Sequence, residues 1–303
     1  MRGLPQLAVA AVLAMVVSGC SPAAPSQGPQ VVVTTNILGD VTRQVLGDQA
    51  TVTTLMQPGS DPHSFDISAR QAALMGNADL VVSNGLGLEE GLQQHLDRAS
   101  GAGAPMLVAG EVIDVVPYSA GDAKGAPDPH FWTDPAAMLD VVNALETAVG
   151  KIQGINREEL AISASAYRAQ LKDLDAEMTE KFAALPPERR ALVTNHHVFG
   201  YLAKRFDFRV IGAVIPGGTT LAAPSAADLR QLSEAITSAG VPTIFAESST
   251  PDRLVQVLAQ EAGMDVQVGE LFTESLTGPA GEAPTYLDMM RVNTQRIVRG
   301  LSP

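Results

Sequence analysis

The chain can offer a metal or a substrate nitrogen and oxygen donors but no buried thiolate, because its single cysteine, Cys20, closes an apolar N-terminal stretch. Its histidines are His63, His95, His130, His196 and His197. Two of them end an identical triplet, Asp61-Pro62-His63 and Asp128-Pro129-His130. Proline fixes φ and biases the residue before it to extended backbone, so each imidazole is presented from a stiff loop. Each aspartate is expected to accept from the far imidazole N–H, which sets the tautomer and raises the basicity of the other nitrogen. His196 follows the β-branched run 191–194, where the carboxyl end of a strand in an open α/β sheet gathers ligands. Glu274 lies just past the last expected strand, and His95 reads as a solvated histidine on a helix surface. Three imidazoles and one carboxylate compose a four-coordinate N₃O set suited to a borderline-soft divalent ion such as zinc.

Those donors need a scaffold that brings distant strand ends together. From Gln30 onward, short β-branched runs (31–35, 51–55, 78–83, 105–109) alternate with amphipathic stretches, the rhythm of a mostly parallel sheet. The rhythm resumes at 191–194, 209–215, 242–246 and 266–271, which implies a second lobe. Between them, a helix-like run from Pro135 to about Ile152 leads into 157–185. There Leu160, Ile162, Tyr167, Leu171, Leu174, Met178 and Phe182 recur at close to helical intervals, up to Pro186-Pro187. Together these are expected to form one long helical connection. The fold class is therefore α/β: two Rossmann-like lobes with mostly parallel sheets, joined by one long rigid backbone helix. The expected division is 1–19 leader, 20–29 tether, 30–152 N-terminal lobe, 153–186 linker helix and 187–303 C-terminal lobe.

The leader, residues 4–19, is apolar, follows Arg2 and is too short to span a bilayer, so it reads as a secretory signal. It ends in Val17-Ser18-Gly19-Cys20, which resembles the bacterial lipobox and makes Cys20 the expected lipidation site. Residues 21–29, rich in Pro, Ser, Ala and Gln, suit a flexible tether to the membrane. No later segment is a transmembrane candidate. A net charge of −13 disfavours contact with a phosphate backbone and excludes nucleic acid from the expected partners.

The combination of motifs resembles a family, the metal-binding proteins of bacterial zinc and manganese ABC importers. The resemblance runs from about Val31 to Leu301. It rests on residues 58–63 (Pro-Gly-Ser-Asp-Pro-His), 128–135 (Asp-Pro-His-Phe-Trp-Thr-Asp-Pro), 196–202 (His-His-Val-Phe-Gly-Tyr-Leu) and 286–293 (Tyr-Leu-Asp-Met-Met-Arg-Val-Asn). It implies an extracytoplasmic, lipid-anchored monomer that holds its ion in the cleft between lobes and delivers it to a membrane permease driven by a cytoplasmic ATPase. Carried over residue by residue, His63 and His130 match the N-lobe ligands. His196 matches the third, and Glu274 stands where relatives usually carry aspartate. His197 occupies a place that is commonly acidic and is treated as a neighbour, with the register between His196 and His197 left open. The loop 117–127 lacks the histidine-rich insertion many zinc members carry, while three neutral nitrogens argue against manganese. Zinc is the expected ligand and manganese the alternative. Two other readings compete: a zinc hydrolase, for which Glu247 is the nameable base, and a surface adhesin.

Overall fold

The computed structural model describes residues 28–302 except 120, 122, 216, 222, 250, 251 and 262–265, so the leader, Cys20 and most of the tether lie outside the described residues. The first lobe contains β1 (Gln30–Val33), α1 (Asn36–Leu46), β2 (Thr51–Thr54), α2 (Ala69–Gly76), β3 (Leu80–Ser83), α3 (Gln93–Gly101), β4 (Met106–Val108) and α4 (Pro135–Val149). After α5 (Arg157–Ala183) the second lobe follows with β5 (Ala191–Thr194), α6 (Gly200–Phe206), β6 (Arg209–Ala213), α7 (Ala226–Ala239), β7 (Thr243–Glu247), α8 (Arg253–Glu261), β8 (Gln267–Leu271) and α9 (Tyr286–Leu301).

Each lobe is built on a four-stranded parallel sheet, in the orders β2-β1-β3-β4 and β6-β5-β7-β8. The two orders are the same permutation, so each sheet has its change of winding direction between its first and third strands, where ligand crevices form. The central strands are buried on both faces: Val31 to Val33, all of β3, all of β5 and all of β7. Such double burial explains why these runs are continuously apolar rather than alternating. The edge strands β2, β6 and β8 are largely half-buried or exposed.

The expected single connection from Pro135 to Leu185 is instead two helices. After α4, residues 150–156 reverse the chain through Gly154 at φ +93°, and α4 packs back along α5. Apolar periodicity cannot register such a reversal, since both helices keep their own 3.6-residue stripe. The 27-residue α5 spans about 40 Å at the α-helical rise. Asn156 caps it, accepting from Glu158 N and Glu159 N, and the two acidic residues in its first turn complement the helix dipole. Its buried stripe is Leu160, Ala164, Tyr167, Leu171, Leu174, Met178 and Phe182. Ile162, expected in that stripe, is 64% exposed, because a two-residue offset from Leu160 turns it to the opposite face.

This helix packs against elements of both lobes. It packs on α1 and α4 of the first lobe and on α9, and Arg205 of α6 pairs with its Asp175 at 2.6 Å. Leu171, Leu174, Met178 and Phe182 belong to one apolar cluster that also holds Val33 and Val82 from the first sheet and Leu192 and Phe245 from the second. The C-terminal α9 is joined to the first lobe as well: Asp40 of α1 accepts from Tyr286 N at 2.8 Å, and Tyr286 donates its hydroxyl to Trp132 O at 2.7 Å.

Candidate metal centre

His63 and His130 are presented by the same local device. In each Asp-Pro-His triplet the aspartate Oδ1 accepts from the histidine backbone N–H two residues on, at 2.8 Å for Asp61 and 2.9 Å for Asp128. Proline between them has no N–H to compete, so the turn closes one way. The His63 loop is entered through Gly59 at φ +76°, a conformation that favours glycine. The His130 loop is held from the other side, where Asn84 Nδ2 donates to Pro129 O at 3.0 Å. Asn84 is in turn fixed by the buried Glu89, which accepts from its backbone N–H at 2.6 Å.

His196 follows β5, and Thr194 Oγ1 donates to its carbonyl at 2.7 Å. Glu274 follows β8. The structure brings all four side chains to one point: their candidate donor atoms lie within 4.8 Å of one another, and each residue is at most 2% exposed. The Nε2 atoms of His63, His130 and His196 stand 3.0, 3.1 and 3.2 Å from the same Glu274 Oε1. A tetrahedral zinc with bonds of about 2.0–2.1 Å keeps neighbouring donors about 3.3 Å apart, close to the three separations from Glu274 Oε1. His95, on α3, and His197 lie outside the cluster, so at the paired histidines the geometry favours His196.

The expected aspartate support holds for one triplet and fails for the other. Asp128 Oδ1 sits 2.7 Å from His130 Nδ1, so that nitrogen carries the proton and Nε2 faces the cluster. Asp61 instead accepts from Thr220 Oγ1 at 2.6 Å, and His63 Nδ1 is buried without a partner. For His196 the equivalent support comes from Glu247, the last residue of β7, whose Oε2 is 3.2 Å from Nδ1. Glu247 is 2% exposed and faces His196 Nδ1, the place of a residue that supports the imidazole rather than of the base a hydrolase reading would need. Tyr118, which sequence reasoning does not single out, places its hydroxyl 3.4 Å from His130 Nδ1 and donates to Gly218 O at 2.9 Å.

Burial alone would lower the His196 pKa, but the carboxylates of Glu274 and Glu247 outweigh it and hold it well above the ordinary value. His130 is likewise raised, Asp128 overcoming the cost of burial. Burial would raise Glu274, yet His196 and the other imidazoles drive it well below the carboxylate range. Glu247 is raised by burial and by the charge of Glu274. Buried polar atoms short of good hydrogen bonds concentrate here: His63 Nδ1 and Glu274 Oε2 have no partner, and His196 Nε2 and Glu247 Oε2 make only contacts of 3.2 Å, to Glu274 and to His196 Nδ1. Unsatisfied buried atoms are costly in a folded protein, and a cation among the converging Nε2 atoms would engage His196 Nε2 and the Glu274 carboxylate.

One contact predicts a mutation. A Cβ on Gly200, the first residue of α6, would meet Asp128 Oδ2 at 2.4 Å. Gly200→Ala is expected to displace Asp128 from His130 and to weaken zinc binding by about tenfold, the lower range for losing a group that orients a ligand. Competition against a chelator of known affinity measures it.

The chain is similar to known metal-binding proteins. The family model described as zinc-uptake complex component A, periplasmic, matches residues 31–300. The zinc-binding protein TroA of Treponema pallidum is 32% identical over 288 residues, covering 94% of this chain and 92% of its own. The iron-binding protein YfeA of Yersinia pestis is 27% identical, over 89% of this chain and 86% of its own. The manganese ABC transporter substrate-binding lipoprotein PsaA of Streptococcus anginosus is 28% identical, over 94% and 93%. The solved structure of TroA superposes with a TM-score of 0.83, covering 91% of this chain and all of that one. These relatives are named as zinc-binding, as iron-binding and as a substrate-binding lipoprotein of a manganese ABC transporter.

Proposed function

Because the chain belongs to the family of periplasmic zinc-uptake complex component A proteins, we propose that it captures zinc outside the cytoplasm and passes it to an ABC permease for import. His63, His130, His196 and Glu274 are the proposed ligands. The observation that carries this reading is the convergence of three imidazole Nε2 atoms and a carboxylate in a buried cluster. Four protein donors fill a tetrahedral shell, as in a closed site rather than a catalytic one with an open position.

Relatives named for zinc, iron and manganese all match this chain, so the choice of metal rests on its own donors. Three neutral imidazoles with one carboxylate favour zinc over manganese, which prefers oxygen. Anchoring through lipidated Cys20 agrees with the relatives named as lipoproteins, and among the described residues no helix is long and apolar enough to cross a membrane. The remaining steps are transfer to the permease and import driven by its ATPase, with the protein working as a monomer.

The test is direct competition. Metal-stripped protein offered equal zinc and manganese is expected to bind one zinc per chain in preference to manganese, as the ligand types require. Preferential manganese uptake would overturn the metal assignment, and uptake of neither ion would overturn the function.

A further inference from the structure

By sequence, two candidate ligands belong to each lobe, with His196 and Glu274 both following strands of the second sheet. The hydrogen bonds divide them differently. The segment carrying Glu274 is fastened to the first lobe at nearly every residue. Trp132 Nε1 donates to Thr273 O at 2.8 Å, and Leu276 N donates to Asn36 Oδ1 at 3.0 Å. Gly59 N reaches Leu276 O at 3.1 Å. Ser275 Oγ accepts both from Asn36 Nδ2 at 2.8 Å and from Gly59 N at 2.9 Å. Gly59 begins the loop that presents His63, Trp132 follows His130, and Asn36 opens α1. The clamp therefore references Glu274 to the same loops that carry His63 and His130, and Ser275 is 3% exposed at its centre.

His196 is held within its own lobe. Thr194 Oγ1 bonds its carbonyl at 2.7 Å, Ile215 N donates to the carbonyl of the preceding Asn195 at 2.8 Å, and Glu247 backs its ring. Other links cross from this side: Thr220 bonds Asp61, Tyr118 bonds Gly218, Tyr201 bonds Asp128 O and Val116 N, and the Tyr118 ring lies edge-on to His197 at 6.4 Å; none of these bonds is made by His196 itself.

We infer that Ser275, with Trp132 and Asn36, is a positioning residue that fixes Glu274 to the first lobe, so that the site divides three donors to one and the ion is released by parting from His196. The inference rests on the metal-binding reading proposed above and deepens it. His63, His130 and Glu274 form a platform that persists when the lobes move, and an ion can rest on it while it exchanges its fourth donor. Ser275 touches no ligand atom, so its effect passes entirely through the place it gives Glu274.

The experiment loads full-length protein with Co²⁺, whose visible absorption reports coordination geometry, and follows release to excess chelator by stopped flow. Ser275→Ala is expected to speed release by about tenfold and to change the cobalt band, as an orienting group does, while leaving the melting temperature of the metal-stripped protein near that of wild type. Trp132→Phe, which removes the indole N–H together with part of a buried ring, is expected to act in the same direction, and it carries the test if Ser275→Ala does not fold, with the cobalt band separating loss of the bond from loss of packing. A cobalt band and release rate equal to wild type in both variants would overturn the three-to-one division while leaving metal binding intact. A lowered melting temperature with an unchanged band would assign the clamp a structural role only and would also overturn it. Failure of the wild type itself to take up Co²⁺ or Zn²⁺ would instead remove the proposed function beneath it.

Discussion

Replacing His130 with alanine is expected to weaken zinc binding by about a thousandfold, close to 4 kcal/mol, the share of one donor in a four-ligand site worth about 10–16 kcal/mol. His130 is fully buried, and its two ring nitrogens serve opposite sides: Nε2 faces Glu274 at 3.1 Å and Nδ1 faces Asp128 at 2.7 Å. Truncation removes the donor and leaves two buried carboxylates short of a partner. The metal-stripped variant is therefore also expected to lose about 1–3 kcal/mol of stability, the cost of unsatisfied buried groups. His95→Ala is the matching control, since α3 lies outside the cluster, and it is expected to leave affinity unchanged. Calorimetric titration of the stripped proteins separates the two outcomes, and wild-type affinity in His130→Ala would remove that residue from the site.

The second large effect is a pH dependence of opposite sign with and without metal. His130 and His196 have folded pKa values raised above the ordinary value of about 6.5. Their contribution to the metal-stripped fold is complete below that value and is lost as pH rises through the raised ones. Glu247, also raised, adds to the loss, because its ionisation costs stability above the ordinary carboxylate range. Glu274 is lowered, so its contribution is present above about 4.5 and is lost only as pH falls through its depressed value. Stripped protein is thus expected to be most stable between about pH 4.5 and 6.5 and to melt at lower temperature toward pH 8. Zinc needs neutral imidazoles, so its affinity must rise over the same interval. With two protonated imidazoles to discharge, affinity should climb by up to about a hundredfold per pH unit below the raised values. The zinc-induced rise in melting temperature should therefore widen steadily from pH 5.5 to 8. A rise that stays constant across that range would contradict the linkage between the ion and these histidines.

Much of the site is legible in the amino-acid sequence, for reasons that differ residue by residue. The stiff presentation of His63 and His130 is legible because the Asp-Pro-His turn is local, its hydrogen bond spanning two residues, while their reading as ligands comes from the combination of motifs and the family it resembles. His196 is placed by the strand-end rule, but only the geometry separates it from His197. What a sequence does not reveal is who touches whom across the chain. Asn36 meets Ser275 from 239 residues away and Asp40 meets Tyr286 from 246, distances at which no spacing carries information. The same limit leaves the aspartate expectation half fulfilled. Asp128 backs its histidine, while Asp61 is drawn off by Thr220, a residue of the other lobe. Glu247, the one base a hydrolase reading could name, reads from its strand end rather as a residue supporting or lining the site, and its place beside His196 Nδ1 agrees with the supporting role. In the fold, both sheets follow from their β-branched runs. The reversal between α4 and α5 leaves no mark in the apolar pattern, because Gly154 lies in a short break between two good helical stripes.

The most direct measurement is a crystal structure of zinc-loaded protein with anomalous data collected on both sides of the zinc absorption edge. One strong peak per chain is expected, bonded to Nε2 of His63, His130 and His196 and to the Glu274 carboxylate. A peak at other residues, or none within bonding distance of these four, would contradict the assignment of this cluster as the zinc site.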